Sequence, residues 1–304
     1  MRQIYVIVVT CNGIKWIEEC LKSVLSSSIP VSLIVVDNSS SDTTIDFIKT
    51  SFPDVILLEQ KENLGFGKAN NIGIAYALKQ NPDFVFLLNQ DAKIEKVTIE
   101  TLIRISESNA DLGILTPLHL NWLGNGLEFG FYNEKLFSDL LLNQELKEFY
   151  LEDKFINASA WLLPVNTLNI VGGFDPIFFH YGEDVNYCQR VLFHGLKLVI
   201  VPKVKIFHDT TNNGVFEKND KSQQLMIDER YFMNQTIIKF GDVNRLDYKL
   251  YEKFKTKFIF RTLYSLLLFD LTKAGEDFRK YKILTRLKIK ESYLKNSKEG
   301  RHHF

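Results

Sequence analysis

The sequence predicts an α/β fold, a mostly parallel sheet flanked by helices, with a C-terminal helical extension. Three observations predict it. Between residues 4 and 88, four short apolar runs alternate with three segments of helical periodicity. Polar residues gather where those runs end. The formal net charge of zero conceals a division, because residues 251–304 carry +8 and residues 1–250 carry −8. The expected organisation is therefore a main α/β domain over 1–250 and a basic, amphipathic helical tail over 251–304.

Ile4 to Val9 is apolar and largely β-branched, the pattern of a strand buried on both faces. Thr10-Cys11-Asn12-Gly13 follows as a turn, and Ile14 to Leu25 reads as a helix with Ile17, Leu21, Val24 and Leu25 on one face. Val31 to Val36 is the second strand. Asp37-Asn38-Ser39-Ser40-Ser41-Asp42 then supplies turn and N-cap residues for a helix over 43–49. A strand over 55–58, a loop over 61–66, a helix over 67–79 and a strand over 84–88 complete the alternation. In such sheets ligands bind beyond the carboxyl ends of the strands. Thr10 and Asn12, Asp37 and Asn38, Asn63 to Lys68, and Asn89-Gln90-Asp91 all fall there. Any one of these clusters is explained as turn chemistry; four on one edge point to a ligand.

Known phosphate loops are absent. The first strand-to-helix turn lacks G-x-G-x-x-G, Gly65-Phe66-Gly67 lies after the third strand, and no Walker A sequence occurs. Asn89-Gln90-Asp91 offers another way to hold a diphosphate, since an acid two residues after a neutral oxygen donor can ligate a hard divalent cation.

Further along, a helix is expected over 97–108 and strands over 112–115, 155–164 and 196–201, with 121–150 unassigned. Phe178-Phe179-His180-Tyr181 precedes Glu183 and Asp184, where a helix starts. These acids either complement the helix dipole or occupy a pocket whose aromatic walls partly exclude water. His208 follows the last strand, within reach of a metal site if that strand borders the first sheet.

Cys11, Cys20 and Cys188 form neither a disulfide framework nor a zinc pattern, and the N-terminal apolar run lacks a signal-peptide cleavage site. A cytoplasmic location is expected.

Ile7-Val8-Val9-Thr10-Cys11-Asn12-Gly13, Val35 to Asp42, Asn63 to Gly73, Leu88 to Ala92, and Gly172-Gly173-Phe174-Asp175 with Glu183-Asp184-Val185 occur in an order that resembles family 2 glycosyltransferases. The rhamnosyltransferase-like branch of bacterial surface polysaccharide synthesis is the nearest in character. The resemblance spans residues 4 to 210. It implies a GT-A type, Rossmann-like fold, a nucleotide-sugar donor, a Mn²⁺ or Mg²⁺ ion and inversion at the anomeric carbon. A UDP- or dTDP-sugar, with rhamnose the first candidate, and a saccharide or lipid-linked acceptor follow from it.

By the same resemblance Thr10 and Asp37 meet the nucleoside, with Asp37 reading the base, and Asn12 belongs to the donor-binding set. Asn63, Gly67, Lys68 and Asn70 meet the diphosphate and sugar. Asn89 and Asp91 occupy the Asp-x-Asp position, Asp91 and His208 are the metal ligands, and Asp184 is the catalytic base, with Glu183 as the alternative. The first acid of Asp-x-Asp is replaced by neutral Asn89, so weaker cation binding is expected. A glycosidase fits poorly, because adjacent acids cannot face each other across a sugar. A nucleotidyltransferase would show a glycine-rich phosphate loop near the first strand, and a non-catalytic nucleotide-sugar sensor is separable only by turnover.

In the tail, Phe258 to Phe269 is strongly apolar but contains Arg261 and is shorter than the roughly 20 residues needed to cross a bilayer. Arg279, Lys280, Lys282, Arg286, Lys288 and Lys290 alternate with apolar residues, as in a helix lying on an anionic membrane. The alternative is a helical hairpin packed on the catalytic domain or on a second subunit, as in a homodimer. Nucleic acid is not expected, because no recognised binding fold accompanies the basic stretch.

Overall fold

The computed structural model describes residues 2–128, 130–131, 133–142, 144–212, 221–245 and 247–304. The elements in chain order are β1 (Ile4–Thr10), α1 (Ile17–Leu25), β2 (Ser32–Asp37), α2 (Thr44–Ser51), β3 (Ile56–Glu59), α3 (Phe66–Leu78), β4 (Phe84–Asn89), β5 (Ala92–Ile94), α4 (Thr98–Ser108) and β6 (Leu112–Asn121). They continue with α5 (Glu134–Leu141), β7 (Tyr150–Glu152), β8 (Ala160–Pro164), α6 (Val165–Val171), α7 (Glu183–Phe193), β9 (Lys197–His208), α8 (Lys221–Phe240), α9 (Tyr248–Leu267), α10 (Leu271–Arg286) and α11 (Ile289–Asn296).

Two compact units result, Met1–Asn213 with Lys298–Phe304, and Gly214–Ser297. The division falls before α8 instead of after residue 250. Phe232 of α8 packs edge-on against Phe258 of α9, which groups α8 with the tail helices. The final residues belong to the first unit, where the His302 carbonyl accepts from Gly173 N–H at 2.8 Å and the Ile170 carbonyl accepts from Gly300 N–H at 2.9 Å.

The first unit is built on one sheet of order β3-β2-β1-β4-β8-β6-β9-β5, with β7 on β9. β3, β2, β1 and β4 are parallel. β8 runs antiparallel between β4 and β6, and β5 and β7 are antiparallel to β9. The sheet is thus parallel where strands and helices alternate and mixed beyond β4, where no helix separates β4 from β5 or β7 from β8.

Val6 and Val8 enter one core with Ile17, Leu21 and Val35, while Ile7 enters the other with Ile34, Val36, Ile74 and Ala77. Both faces are covered, which is why the strand sequences are apolar throughout. Register sets the site: Thr10 lies opposite Asp37, and Val9 opposite Asn89, so three neighbouring strands end together.

β6 runs past its expected end at 115 to Asn121, through a register shift between Pro117 and Leu118. Proline has no N–H to give a ladder, so pairing is interrupted there and resumes. β9 likewise extends beyond 201 and ends on His208, opposite Ala92 of β5.

In the second unit α9 and α10 form a hairpin, with Arg261 Nε 3.0 Å from Asp277 Oδ2. Tyr251 donates to the Leu284 carbonyl at 2.6 Å. Leu284 and Ile289 are buried, so part of the apolar face of the basic stretch 279–290 is already covered.

Candidate active site

The first wall of the site is the turn after β1. Gln90 pins it: Oε1 accepts from the Thr10 hydroxyl at 2.6 Å and from Cys11 N–H at 2.9 Å, while Nε2 donates to the Cys11 carbonyl at 3.3 Å. Gly13 is needed because a Cβ there would overlap Gln90 and Thr10. Asn12 has a positive φ of 51°, and its Oδ1 accepts from Ser41 N–H at 2.8 Å, tying this turn to the loop after β2.

Asp37 is fully buried at the end of β2. Its Oδ2 accepts from Ser40 N–H at 3.0 Å, whereas Oδ1 has no partner among the described residues. A buried acceptor without a donor is costly unless a ligand supplies one. Asn38 Nδ2 donates to Asn63 Oδ1 at 3.0 Å, and Asn63 Oδ1 in turn accepts from Gly65 N–H at 2.9 Å.

This loop abuts the stretch before α7. Gly65 has φ +81°, and a Cβ on it would overlap the Phe179 carbonyl oxygen; a Cβ on Gly67 would crowd Phe174. Lys68 is partly buried on the first turn of α3. Asn70 is buried and donates to the Phe66 carbonyl at 3.0 Å, which braces the start of α3.

Glu183 and Asp184 open α7 after two residues in the left-handed region, Tyr181 at φ +68° and Gly182 at φ +98°. Glu183 is 4% exposed and its Oε2 has no partner among the described residues. Burial and then the Asp184 charge push its carboxyl up to about 7. Asp184 is partly exposed, accepts from Val185 N–H at 2.8 Å and is pushed up to about 6 by burial, against the pull of backbone N–H groups. Burial, and then the charges of Glu183 and Asp91, raise the Tyr181 hydroxyl above its ordinary value.

Asp91 follows β4. Its Oδ1 lies 3.2 Å from His208 Nε2, and its carbonyl accepts from Asp209 N–H at 2.9 Å. His208 Nδ1 is 3.0 Å from Glu128 Oε1. The other Glu128 oxygen lies 2.9 Å from His119 Nδ1, and His119 Nε2 is 2.7 Å from Thr116 Oγ1. Burial opposes charge throughout this chain. Even so, hydrogen bonds and charge attraction to Asp91 and Glu128 bring His208 up to about 10, and the two histidines hold Glu128 down at about 2. In His119, burial prevails and lowers the pKa despite Glu128.

The expected residues therefore gather at one sheet edge. Glu128, His119 and Asn71 were absent from the expected set. Glu128 lies in the unassigned region 121–150, where no periodicity marks it. Asn71 stands inside a quoted motif; its amide exchanges hydrogen bonds with Phe174 N–H and carbonyl, each 2.8 Å, and also donates to the His303 carbonyl at 3.0 Å.

With this edge on view, the match to known proteins is specific. The model of glycosyl transferase family 2 matches residues 5–124, the half-sheet that carries Thr10, Asp37, the glycine loop and Asp91. Over residues 5–124 the chain is therefore similar to family 2 glycosyltransferases. The chain is 27% identical over 238 residues to the low-salt glycan biosynthesis hexosyltransferase of Haloferax volcanii, across 76% of each chain. It is 26% identical over 229 residues to the N-acetylglucosaminyl-diphospho-decaprenol L-rhamnosyltransferase of Mycobacterium tuberculosis, across 67% of this chain and 75% of that one. Among solved structures, the mannosyltransferase of Pyrobaculum calidifontis in complex with GDP-Man and Mn²⁺ superposes with a TM-score of 0.55 at 17% identity, over 80% of this chain and 64% of that one. The fold is GT-A type, with a C-terminal helical region.

The donors present suit a divalent cation shared with a diphosphate. Asp91 and His208 converge, and a Glu128 carboxylate behind Nδ1 would orient the imidazole for a cation that displaced the Nε2 proton now facing Asp91. No group of three or more His, Cys, Asp or Glu able to hold an ion gathers among the described residues. Substrate phosphates would complete such a coordination set.

Proposed function

We propose that this glycosyltransferase moves a sugar, rhamnose first, from a UDP- or dTDP-sugar to a saccharide or lipid-linked saccharide acceptor, with inversion, during surface polysaccharide synthesis. The observation that carries the reading is the gathering, beyond the aligned ends of β1, β2 and β4, of the Asp91–His208 pair and of the glycine loop that meets Phe179 and Glu183 at Gly65 and Gly67. The reaction would run in the cytoplasm, with residues 251–304 on the membrane surface.

Each residue has a chemical task in this reading. The unpartnered Asp37 Oδ1 accepts the N3–H of uracil or thymine. Asp184, more accessible than Glu183, takes the proton of the acceptor hydroxyl as its oxygen bonds to the anomeric carbon. The carbon–oxygen bond to the diphosphate breaks on the opposite face, and its electron pair leaves on the phosphate. Lys68 and the N-terminus of α3 oppose the charge that develops there. A Mn²⁺ or Mg²⁺ ion held by Asp91 and His208 would supply further neutralisation of that charge. Glu183 packs beside Gly67 and Phe174 as part of the floor.

Incubation of the protein with a panel of UDP- and dTDP-sugars, Mn²⁺ and saccharide or lipid-linked acceptors tests the proposal. Acceptor-dependent release of one nucleoside diphosphate supports it, and no release with any donor refutes it.

A further inference from the structure

The exposed apolar surface of the second unit is concentrated at the end of the α9–α10 hairpin. Phe260, Leu263, Tyr264 and Leu267 recur at spacings of three and four along α9 and are exposed. The same stretch buries Thr262 and Ser265, with Ala274 and Asp277 buried on α10. Whereas the base of the hairpin buries Tyr251, Phe258 and Leu284, the half toward its tip closes on small and polar residues and turns its large apolar ones outward.

The tip continues the pattern. Leu267 is 76% exposed, Phe269 89% and Leu271 72%. Phe269 holds φ +57°, the left-handed conformation that glycine occupies at helix ends without penalty. An aromatic at that position accepts backbone strain and water exposure together. Contiguous apolar patches of this kind mark interaction surfaces.

Charge selects the occupant. Lys257 and Lys273 flank the stripe, Arg261 is paired with Asp277, Asp270 is the one acid within the tip, and residues 251–304 as a whole carry +8. Pairing with a second copy would set two such surfaces face to face, whereas a bilayer with anionic headgroups complements both the apolar tip and its basic surround. No described helix is long and apolar enough to cross a membrane, which leaves insertion into one leaflet.

We propose that the hairpin tip from Phe260 to Leu271 is the membrane-inserting element, seated in the interfacial layer of an anionic leaflet. This deepens the membrane-surface reading above and assigns contact to the tip in place of the basic stretch 279–290, whose Leu284 and Ile289 are buried.

Co-sedimentation of the full chain with phosphatidylcholine vesicles, with and without phosphatidylglycerol, tests it. The variants are Leu267→Asp with Phe269→Asp at the tip, and Lys282→Glu with Arg286→Glu and Lys290→Glu in the basic stretch, each checked for unchanged melting temperature. The expected result is binding that requires phosphatidylglycerol and weakens by about tenfold or more in the tip variant, with a smaller loss in the basic variant. Three results overturn the proposal: a tip variant that binds like wild type, a basic variant that alone loses binding, or a dimer in solution that the tip variant dissolves. No nucleotide is needed, so failure here is distinct from failure of the transferase reading, which a nucleotide-induced melting shift in the same preparations reports separately.

Discussion

His208 Nδ1 lies 3.0 Å from Glu128 Oε1 while His208 Nε2 lies 3.2 Å from Asp91 Oδ1, so one ring joins a buried carboxylate to the carboxylate at the candidate diphosphate site. Glu128 also reaches His119 at 2.9 Å. The ring that faces Asp91 is held from behind by a residue remote in sequence from either motif.

Glu128→Gln is predicted to destabilise the protein by about 3 to 5 kcal/mol at pH 6, because it removes one partner from a buried charged network. Glu128 is held at about 2 in the folded state, below an ordinary value of 4.5, so its contribution is present above pH 4.5 and lost as pH falls toward 2. His208 is raised from 6.5 to about 10, so its contribution is full below pH 6.5 and lost as pH rises through 10. Urea unfolding between pH 3 and pH 10 should therefore show the largest difference from wild type between about pH 4.5 and 6.5.

Glu183→Gln should behave in the opposite sense. Folding raises this carboxyl from 4.5 to about 7, so ionisation is resisted in the native state and stability declines as pH rises through that interval. The variant is expected to match wild type near pH 4 and to exceed it at pH 8 by on the order of 3 kcal/mol. A variant that is less stable than wild type at pH 8 would contradict this account of the buried acid.

Asp184→Asn is predicted to lower kcat by about 10²- to 10⁴-fold with little change in donor affinity, the signature of a lost general base. In wild type the rate should rise with pH through about 6, where Asp184 ionises in the folded protein. Steady-state rates with a fixed donor, alongside donor titration by calorimetry, separate the two effects.

Gly65→Ala should misplace the donor loop. Its backbone, at φ +81° and ψ 171°, lies in a region that only glycine occupies readily and would cost an alanine on the order of 1 to 3 kcal/mol, and its Cβ would overlap the Phe179 carbonyl oxygen. Reduced melting temperature and weakened nucleotide binding together are the expected result; normal nucleotide binding would show that Gly65 is only a hinge.

The parallel half of the sheet was legible because both faces are buried, which makes β1, β2 and β4 read as unbroken apolar runs. Their polar ends were legible for the same reason, as abrupt changes of chemistry at Thr10, Asp37 and Asn89. Register then aligned those ends, which periodicity alone cannot specify. The mixed half was less visible: Pro117 interrupts β6, and β7 has three residues with no helical partner. Glu128 was invisible because its role depends on bringing His119 and His208 to one place, a long-range fact with no local signature. In the second unit the charge asymmetry drew attention to residues 279–290, yet burial of Leu284 and Ile289 leaves the larger apolar exposure at Phe260 to Leu271.

The most direct test of the central claim is calorimetric titration of the wild-type protein and Asp91→Ala with UDP, dTDP, GDP and CDP, each with and without Mn²⁺. The account predicts that UDP or dTDP binds wild type, that Mn²⁺ strengthens binding, and that Asp91→Ala removes the Mn²⁺ effect while Asp37 still selects the base. Absence of binding by every nucleoside diphosphate, or binding indifferent to both Mn²⁺ and Asp91, would contradict it.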